Sequence, residues 1–402
     1  MTGGTHDLVG AQPGFAVGAA EIVDDPAEIT AALMTGVLRA GGSDAEVTGV
    51  RFEPVGTGQT AVSYRFHLDY AGDPGDTAGP AGVAPAGVGP ASAGPASVVV
   101  KMAAGAPDVR RRLRNGFRNE VGFYSHFAHR ALIRMPRCWS AALSGDSLRF
   151  TLVLQDAYPA RAGSQLAGCT PAQATLAVQN LAGLHAPFWN DEHLRDDAEW
   201  LARPGDSGLA YLGKVATAAA DGFTGRYREQ LGPRDTETLL RAARLVAGWG
   251  RHTATRHTLL HGDYRLDNLL FAGDSRGSGG SGDSGADVLA VDWQTVEAGF
   301  PGRDLAYFVS TALAPADRRT HEAALVAAYH QRLVEHGVPG YTVDDCFEDY
   351  RRGMLQGPLI TMIGCVYASA APTESSDRMF LSMAANACAA IQDLGVLDLL
   401  AS

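Results

Sequence analysis

The stretch from Thr258 to Phe308 holds two short acidic motifs separated by a loop. The first is Leu259-Leu260-His261-Gly262-Asp263-Tyr264-Arg265-Leu266-Asp267-Asn268-Leu269-Leu270-Phe271, an apolar approach, a polar turn and an apolar exit. The second is Val288-Leu289-Ala290-Val291-Asp292-Trp293-Gln294, a β-type apolar run that ends in a carboxylate. Between them, Gly273 to Asp287 is nearly all Gly, Ser and Asp, which cannot pack and reads as a hairpin loop. Two strands joined there bring Asp263, Asn268 and Asp292 to one edge. A carboxylate at Asp263 suits the orientation of an attacking hydroxyl and the acceptance of its proton. Asn268 and Asp292 offer hard oxygen ligands to Mg²⁺, whose octahedron nucleotide phosphates and waters would complete.

His261-Gly262-Asp263 with Asn268 beyond it, followed by Asp292-Trp293-Gln294, resembles the aminoglycoside-phosphotransferase and choline-kinase-like branch of the protein-kinase fold, with its ecdysteroid-kinase-like members. Such families carry H-G-D-x-x-x-x-N where protein kinases carry H-R-D-x-x-x-x-N, and D-[FW]-x in place of D-F-G. The resemblance implies an α+β, bilobal, protein-kinase-like fold: a small amino-terminal lobe with an antiparallel sheet and a helix, and a larger, mainly helical carboxyl-terminal lobe. It also implies ATP as phosphoryl donor, Mg²⁺ as metal and a hydroxyl as acceptor. Gln294 stands where protein kinases have Gly, and no A-P-E segment follows, so a small-molecule acceptor is favoured over a protein. Arg265 occupies the place where protein kinases often set a cation against the transferred phosphate; a solvated arginine is the other reading.

Several elements must position these residues. A helix is expected from Pro26 to about Ala40, capped by Asp25, with Pro26 at its first position and Glu28 at its third. Three β-type segments follow, Glu46 to Glu53, Ala61 to Tyr70 and Ser97 to Met102. Gly56 and Gly58 in the first turn would let a phosphate approach the backbone, though two glycines also suit a plain hairpin. Residues 71–97, rich in Ala, Gly and Pro, read as a mobile insertion.

Lys101 sits in the apolar run Ser97-Val98-Val99-Val100-Lys101-Met102, where an ammonium is costly without a partner. By the resemblance, Glu120 on the helix from Pro107 to about Arg130 is that partner, and Lys101 binds the α and β phosphates of ATP. Arg149 to Leu154 reads as a further strand, and Gln155-Asp156-Ala157 as the hinge where backbone groups would hold adenine. The lobes are therefore placed at residues 1–154 and 155–402.

In the second lobe, helices are expected from Thr170 to about Trp189 and from Asp235 to about Thr255. The catalytic loop falls at 259–271, the metal motif at 288–294 and acceptor-binding helices within 316–395. His185 reads as a packed histidine. Asp304 either caps a helix or, as the resemblance implies, holds the catalytic loop by hydrogen bonds.

The chain of 402 residues is 46% hydrophobic and 19% charged, enough to bury more than one core. A formal charge of −11 argues against nucleic acid, whose phosphates demand a basic face. The five cysteines show no Cys-x-x-Cys spacing, in keeping with a reduced, cytoplasmic setting. Residues 1–18 lack an apolar core after a basic start, so no signal peptide is expected, and no run of about 20 apolar residues marks a membrane span.

The acceptor is the least legible part. Asp344, Asp345, Glu348 and Asp349 would suit an aminoglycoside's ammonium groups, giving an antibiotic-resistance kinase, yet acids in a first helical turn are equally explained by the helix dipole. The uncharged run Gly353 to Tyr367, with Met362, suits an adaptable apolar pocket or an ordinary core helix. A catalytically silent binding protein would have lost one of Lys101, Glu120, Asp263, Asn268 or Asp292; all are present.

Overall fold

The computed structural model describes residues 21–56, 61–70, 94–196, 198–203, 205–253, 256–273, 287–367 and 372–401. Gly58, most of the 71–97 tract, nearly all of the 273–287 loop and residues 1–18 lie outside them. The expected first helix is two pieces. Pro26–Glu28 is a 3₁₀ turn capped by Asp25, and α1 spans Ala31–Ala40. Thr30 interrupts them, because its hydroxyl accepts from the Leu33 amide at 3.2 Å and restarts the helix there. The break lets Ile29 turn its side chain into the core.

Strands β1 (Val47–Val55), β2 (Ala61–Tyr70) and β3 (Ser97–Ala103) follow, then helix α2 (Pro107–His126) and strands β4 (Cys138–Leu143) and β5 (Phe150–Gln155). They form one antiparallel sheet in the order β1-β2-β3-β5-β4. Alternation along β3 sets its chemistry, since successive side chains face opposite sides of the sheet. Val98, Val100 and Met102 join Met34, Leu38 and Phe66 in a core under α1. Lys101, out of step with them, emerges on the other face. On that face α2 packs, and Phe117, Phe150 and Leu152 belong to a core that runs on into the helical part. Full burial of each such ring contributes about 2–3 kcal/mol.

At the end of β5, Asp156 accepts from Arg65 Nε at 2.6 Å, Ser97 Oγ at 2.7 Å and the Tyr158 amide at 3.1 Å, which ties the chain's exit from the sheet to β2 and β3. Beyond it come β6 (Arg161–Ala162), α3 (Pro171–His185), α4 (Asp206–Arg226) and α5 (Pro233–His252). Thr170 and Gln173 close a capping box on α3. Strands β7 (Thr258–Leu260), β8 (Leu269–Ala272), β9 (Asp287–Ala290) and β10 (Glu297–Gly299) make two small sheets, β6-β8-β9 and β10-β7. The β8–β9 register pairs Leu269 with Ala290 and Ala272 with Asp287, the expected hairpin.

The remainder is helical: α6 (Gly302–Ala312), α7 (Pro315–Glu335), α8 (Val343–Arg352), α9 (Gln356–Tyr367), α10 (Glu374–Asp393) and α11 (Val396–Leu399). In the run from Gly353, Met354, Leu355, Leu359 and Met362 are buried in the core, while Tyr367 at its end is exposed. The crossing of α6 with the end of α8 requires glycine on both sides. A Cβ on Gly302 would lie 2.2 Å from the Asp349 carbonyl, and one on Gly353 would lie 2.0 Å from the Gly302 carbonyl. Among the described residues, no helix is long and apolar enough to cross a membrane.

Candidate active site

The loop that carries the first acidic motif begins where β7 ends, and its shape is dictated by backbone approach. Gly262 has φ +81°, and a Cβ there would meet the Thr295 carbonyl at 2.3 Å, so no side chain fits. The His261 and Gly262 amides donate to Asp304, at 2.7 and 3.1 Å. Asp304 is fully buried inside α6, whose N-cap is Pro301, so its role is to hold the loop and not to cap the helix. Burial opposes ionisation of Asp304, but His185 and His261, with the amide bond from His261, hold its carboxyl below the ordinary range. His185 is packed, as expected, between Asp304 and Tyr329.

Asp263 is gripped from several sides. Tyr307 on α6 donates to its Oδ1 at 2.9 Å, while Arg265 Nε and Asn268 Nδ2 reach its Oδ2 at 3.2 and 3.1 Å. Arg265 also pairs with Asp267 at 3.0 Å, so it is neither free nor fully solvated. Burial works against the Arg265 charge, but Asp263, Tyr307 and Asp267 outweigh it and raise its pKa. Burial, then Asp263, push the Tyr307 phenol well up, so it remains a donor. Asn268 spends its amide nitrogen on Asp263, donating also to the main-chain oxygen at 2.9 Å.

The second motif is joined to the first through the backbone. The Val291 amide donates to the Asn268 carbonyl at 3.0 Å, and His261 Nε2 lies 3.1 Å from the Val291 carbonyl. Asp292 then takes φ +69°, a left-handed conformation costly for a non-glycine residue, which turns the chain between Val291 and Trp293. Its Oδ1 lies 3.4 Å from Lys101 Nζ, and the same ammonium lies 2.7 Å from Glu120 Oε1. Burial disfavours the Lys101 charge, yet Glu120 and Asp292 raise its pKa. Asp292 is likewise held below its ordinary value, burial being outweighed by Lys101 and His261. Burial pushes the Glu120 carboxyl up, opposed by Lys101 and Gln294.

Lys101, Glu120 and Asp292 are thus brought together, and so are Asp263, Arg265 and Asn268. Gly56 closes the β1 turn at φ +76°, and Gln155 ends β5 paired with Val98; among the described residues neither is hydrogen-bonded to these clusters. Tyr307 and Gln294 escaped assignment from sequence. Tyr307 is hidden in the apolar run of α6, and only its helical spacing, one turn from Asp304, signals that both face the loop.

A sheet of five antiparallel strands with a helix on each face, followed by a helical part carrying the two acidic motifs, defines the kinase-like α+β fold in its bilobal form. The ecdysteroid kinase-like family model matches residues 90–337, and the chain belongs to that family. It is therefore one of the kinase-like small-molecule phosphotransferases. Among solved structures, choline kinase from Cryptosporidium parvum Iowa II aligns at TM-score 0.50 with 11% identity, over 87% of this chain and 92% of that one, a likeness of fold. A Plasmodium vivax ethanolamine kinase aligns at TM-score 0.47 and 11% identity, over 85% and 83%. A choline/ethanolamine kinase family protein from Mesorhizobium loti aligns at 0.46 and 14%, over 92% and 97%. No curated protein matches the chain by sequence.

Proposed function

We propose that this chain transfers the γ-phosphoryl group of ATP to a hydroxyl of a small molecule. In this reading Asp263 takes the proton from the acceptor hydroxyl as its oxygen bonds to phosphorus and the bond to the ADP oxygen breaks. Arg265 lies against the transferred group. Lys101, steadied by Glu120, holds the α and β phosphates, with the turn at Gly56 and Gly58 and the backbone at Gln155 around the nucleotide. The lobes divide after residue 154. The observation that carries the reading is the convergence on one ammonium of two carboxylates from distant parts of the chain, Nζ to Oε1 of Glu120 at 2.7 Å and to Oδ1 of Asp292 at 3.4 Å.

The donor set also fits Mg²⁺. With its nitrogen spent on Asp263, Asn268 has a carbonyl oxygen to offer, and Asp292 has a second carboxylate oxygen beyond the one facing Lys101. Phosphate oxygens and waters would complete the coordination of such an ion. When bound, the ion would neutralise charge on the phosphates.

A polycationic acceptor is not favoured. Of the four candidate acids, Asp345 is taken up by the Thr342 cap and Arg256, Asp349 by Arg256 and Tyr341, and Glu348 by Arg351 and Arg352, which leaves the exposed Asp344. The test is a screen of hydroxylated metabolites and antibiotics for a mass gain of one phosphoryl group, run with wild type, Asp263→Asn and Asp292→Ala. Asp263→Asn should lose turnover and still bind Mg-ATP by calorimetry, whereas Asp292→Ala should lose that binding. Wild-type turnover by Asp263→Asn, or undiminished Mg-ATP affinity in Asp292→Ala, would sink the assignment.

A further inference from the structure

One stripe of α2 grips the second motif. Gly116, Asn119, Glu120 and Phe123 fall on a single helical face, spaced three and four residues apart. Each meets Asp292-Trp293-Gln294 or its exit. Phe123 stacks on Trp293 with centroids 3.6 Å apart and planes 8° apart. Asn119 Nδ2 donates to the carbonyls of Gln294 at 3.1 Å and Val296 at 3.4 Å. Gly116 lies against the Gln294 side chain, whose Cβ would be in ordinary contact, 3.4 Å, with a Cβ placed on that glycine. Gln294 Nε2 donates to Glu120 Oε2 at 3.3 Å, while Lys101 takes Oε1.

Glu120 is only 1% exposed, so its second oxygen has little recourse to water. Without an amide donor there, the buried carboxylate would draw the ammonium across both of its oxygens and away from Asp292. We infer that Gln294 is a positioning residue for nucleotide binding: by occupying Glu120 Oε2 it keeps Lys101 shared between Glu120 and Asp292, facing the phosphates. This rests on the reading of Lys101 as a phosphate ligand. It also gives the third place of the tripeptide a task that glycine, lacking a side chain, cannot perform.

The experiment measures ATP and ADP affinity by calorimetry, with Mg²⁺ and in its absence, for wild type, Lys101→Met, Gln294→Met and Gln294→Glu. Gln294 is only partly buried, and the melting temperature of each variant reports whether the fold survives. Gln294→Met keeps the length and loses the donor, and should weaken nucleotide binding about fivefold with or without metal. Gln294→Glu sets a second carboxylate beside Glu120 and should be weaker again by roughly tenfold at pH 8. A side chain that merely filled space would give wild-type affinity in Gln294→Met, which would overturn the inference. If Lys101→Met binds nucleotide as wild type does, the nucleotide-site reading falls and this inference with it. If Lys101→Met loses binding while both Gln294 variants keep it, only the role of Gln294 is refuted.

Discussion

Asp263 receives donors from three places: Tyr307 on one oxygen, and Arg265 with Asn268 on the other. Two of them lie within its own loop, so their geometry moves with it. Tyr307 belongs to α6, which makes it the fixed reference for the carboxylate. Removing the phenol oxygen should leave the fold intact, since the ring stays packed against its buried neighbours. Tyr307→Phe should lower kcat about tenfold, the loss of roughly 1.4 kcal/mol expected for one hydrogen bond to a charged acceptor, with the KM for ATP unchanged. Steady-state kinetics decide it: a raised KM for ATP at constant kcat would mean the phenol serves nucleotide binding instead. Asp263, Asn268 and Asp292 were legible in the sequence because each is a polar residue at a fixed place in an apolar frame. Tyr307 was not, because an aromatic in an apolar helix is indistinguishable from core until its hydroxyl is seen to have a partner.

The same contrast runs through the elements. Lys101 was readable because one cation interrupts a β-type run, and Glu120 because the family resemblance calls for a carboxylate partner on the helix that follows. By contrast, α4 gave no signal, since its buried positions include Ala216, Ala219 and Ala220 and it packs closely on α5, where Gly213 faces Ala247. Small residues bury a helix without marking its face. Strand β4, Cys-Trp-Ser-Ala-Ala-Leu, was lost for a similar reason.

At the hinge expected from sequence, Asp156 is a clamp whose strength depends on pH. Burial raises its carboxyl, but bonds from Arg65 and Ser97, with the Tyr158 amide, bring it below the ordinary value of about 3.9. A depressed folded-state pKa contributes stability that is fully present above the unfolded value and is lost as pH falls through the folded one. Asp156→Asn should therefore cost about 1–3 kcal/mol near neutrality. The gap in melting temperature from wild type should hold steady above about pH 5 and close below about pH 4. A gap independent of pH would show that the charge of Asp156 does not matter.

Across the whole molecule, one apolar core extends from the α2 face of the sheet through the helical part, so the site is built on a continuous body of packed side chains. All five cysteines are free thiols, and four are buried. Burial pushes the thiols of Cys138, Cys169 and Cys346 up to about 12, which leaves them poor nucleophiles. Of the acids that make up the net charge of −11, Asp345, Glu348 and Asp349 are engaged by arginines of the same region. Net charge records how many acids a chain has, and only the fold shows which of them are already partnered.

Asp304 has a consequence in time as well as in space. Loops are commonly among the first parts of a protein to open, yet here the two amides at the start of the loop after β7, those of His261 and Gly262, end on a carboxylate with no exposure to solvent. Solvent deuterium can replace their protons only when α6 lifts away, and α6 is seated backbone to backbone against the end of α8 through Gly302 and Gly353. In native-state exchange, these two amides should therefore belong to the slowest class, with opening free energies close to that of global unfolding, while the Asp304→Asn variant should release them to local fluctuation. Fast exchange at His261 and Gly262 in the wild type would mean that the loop breathes independently of the core beneath it.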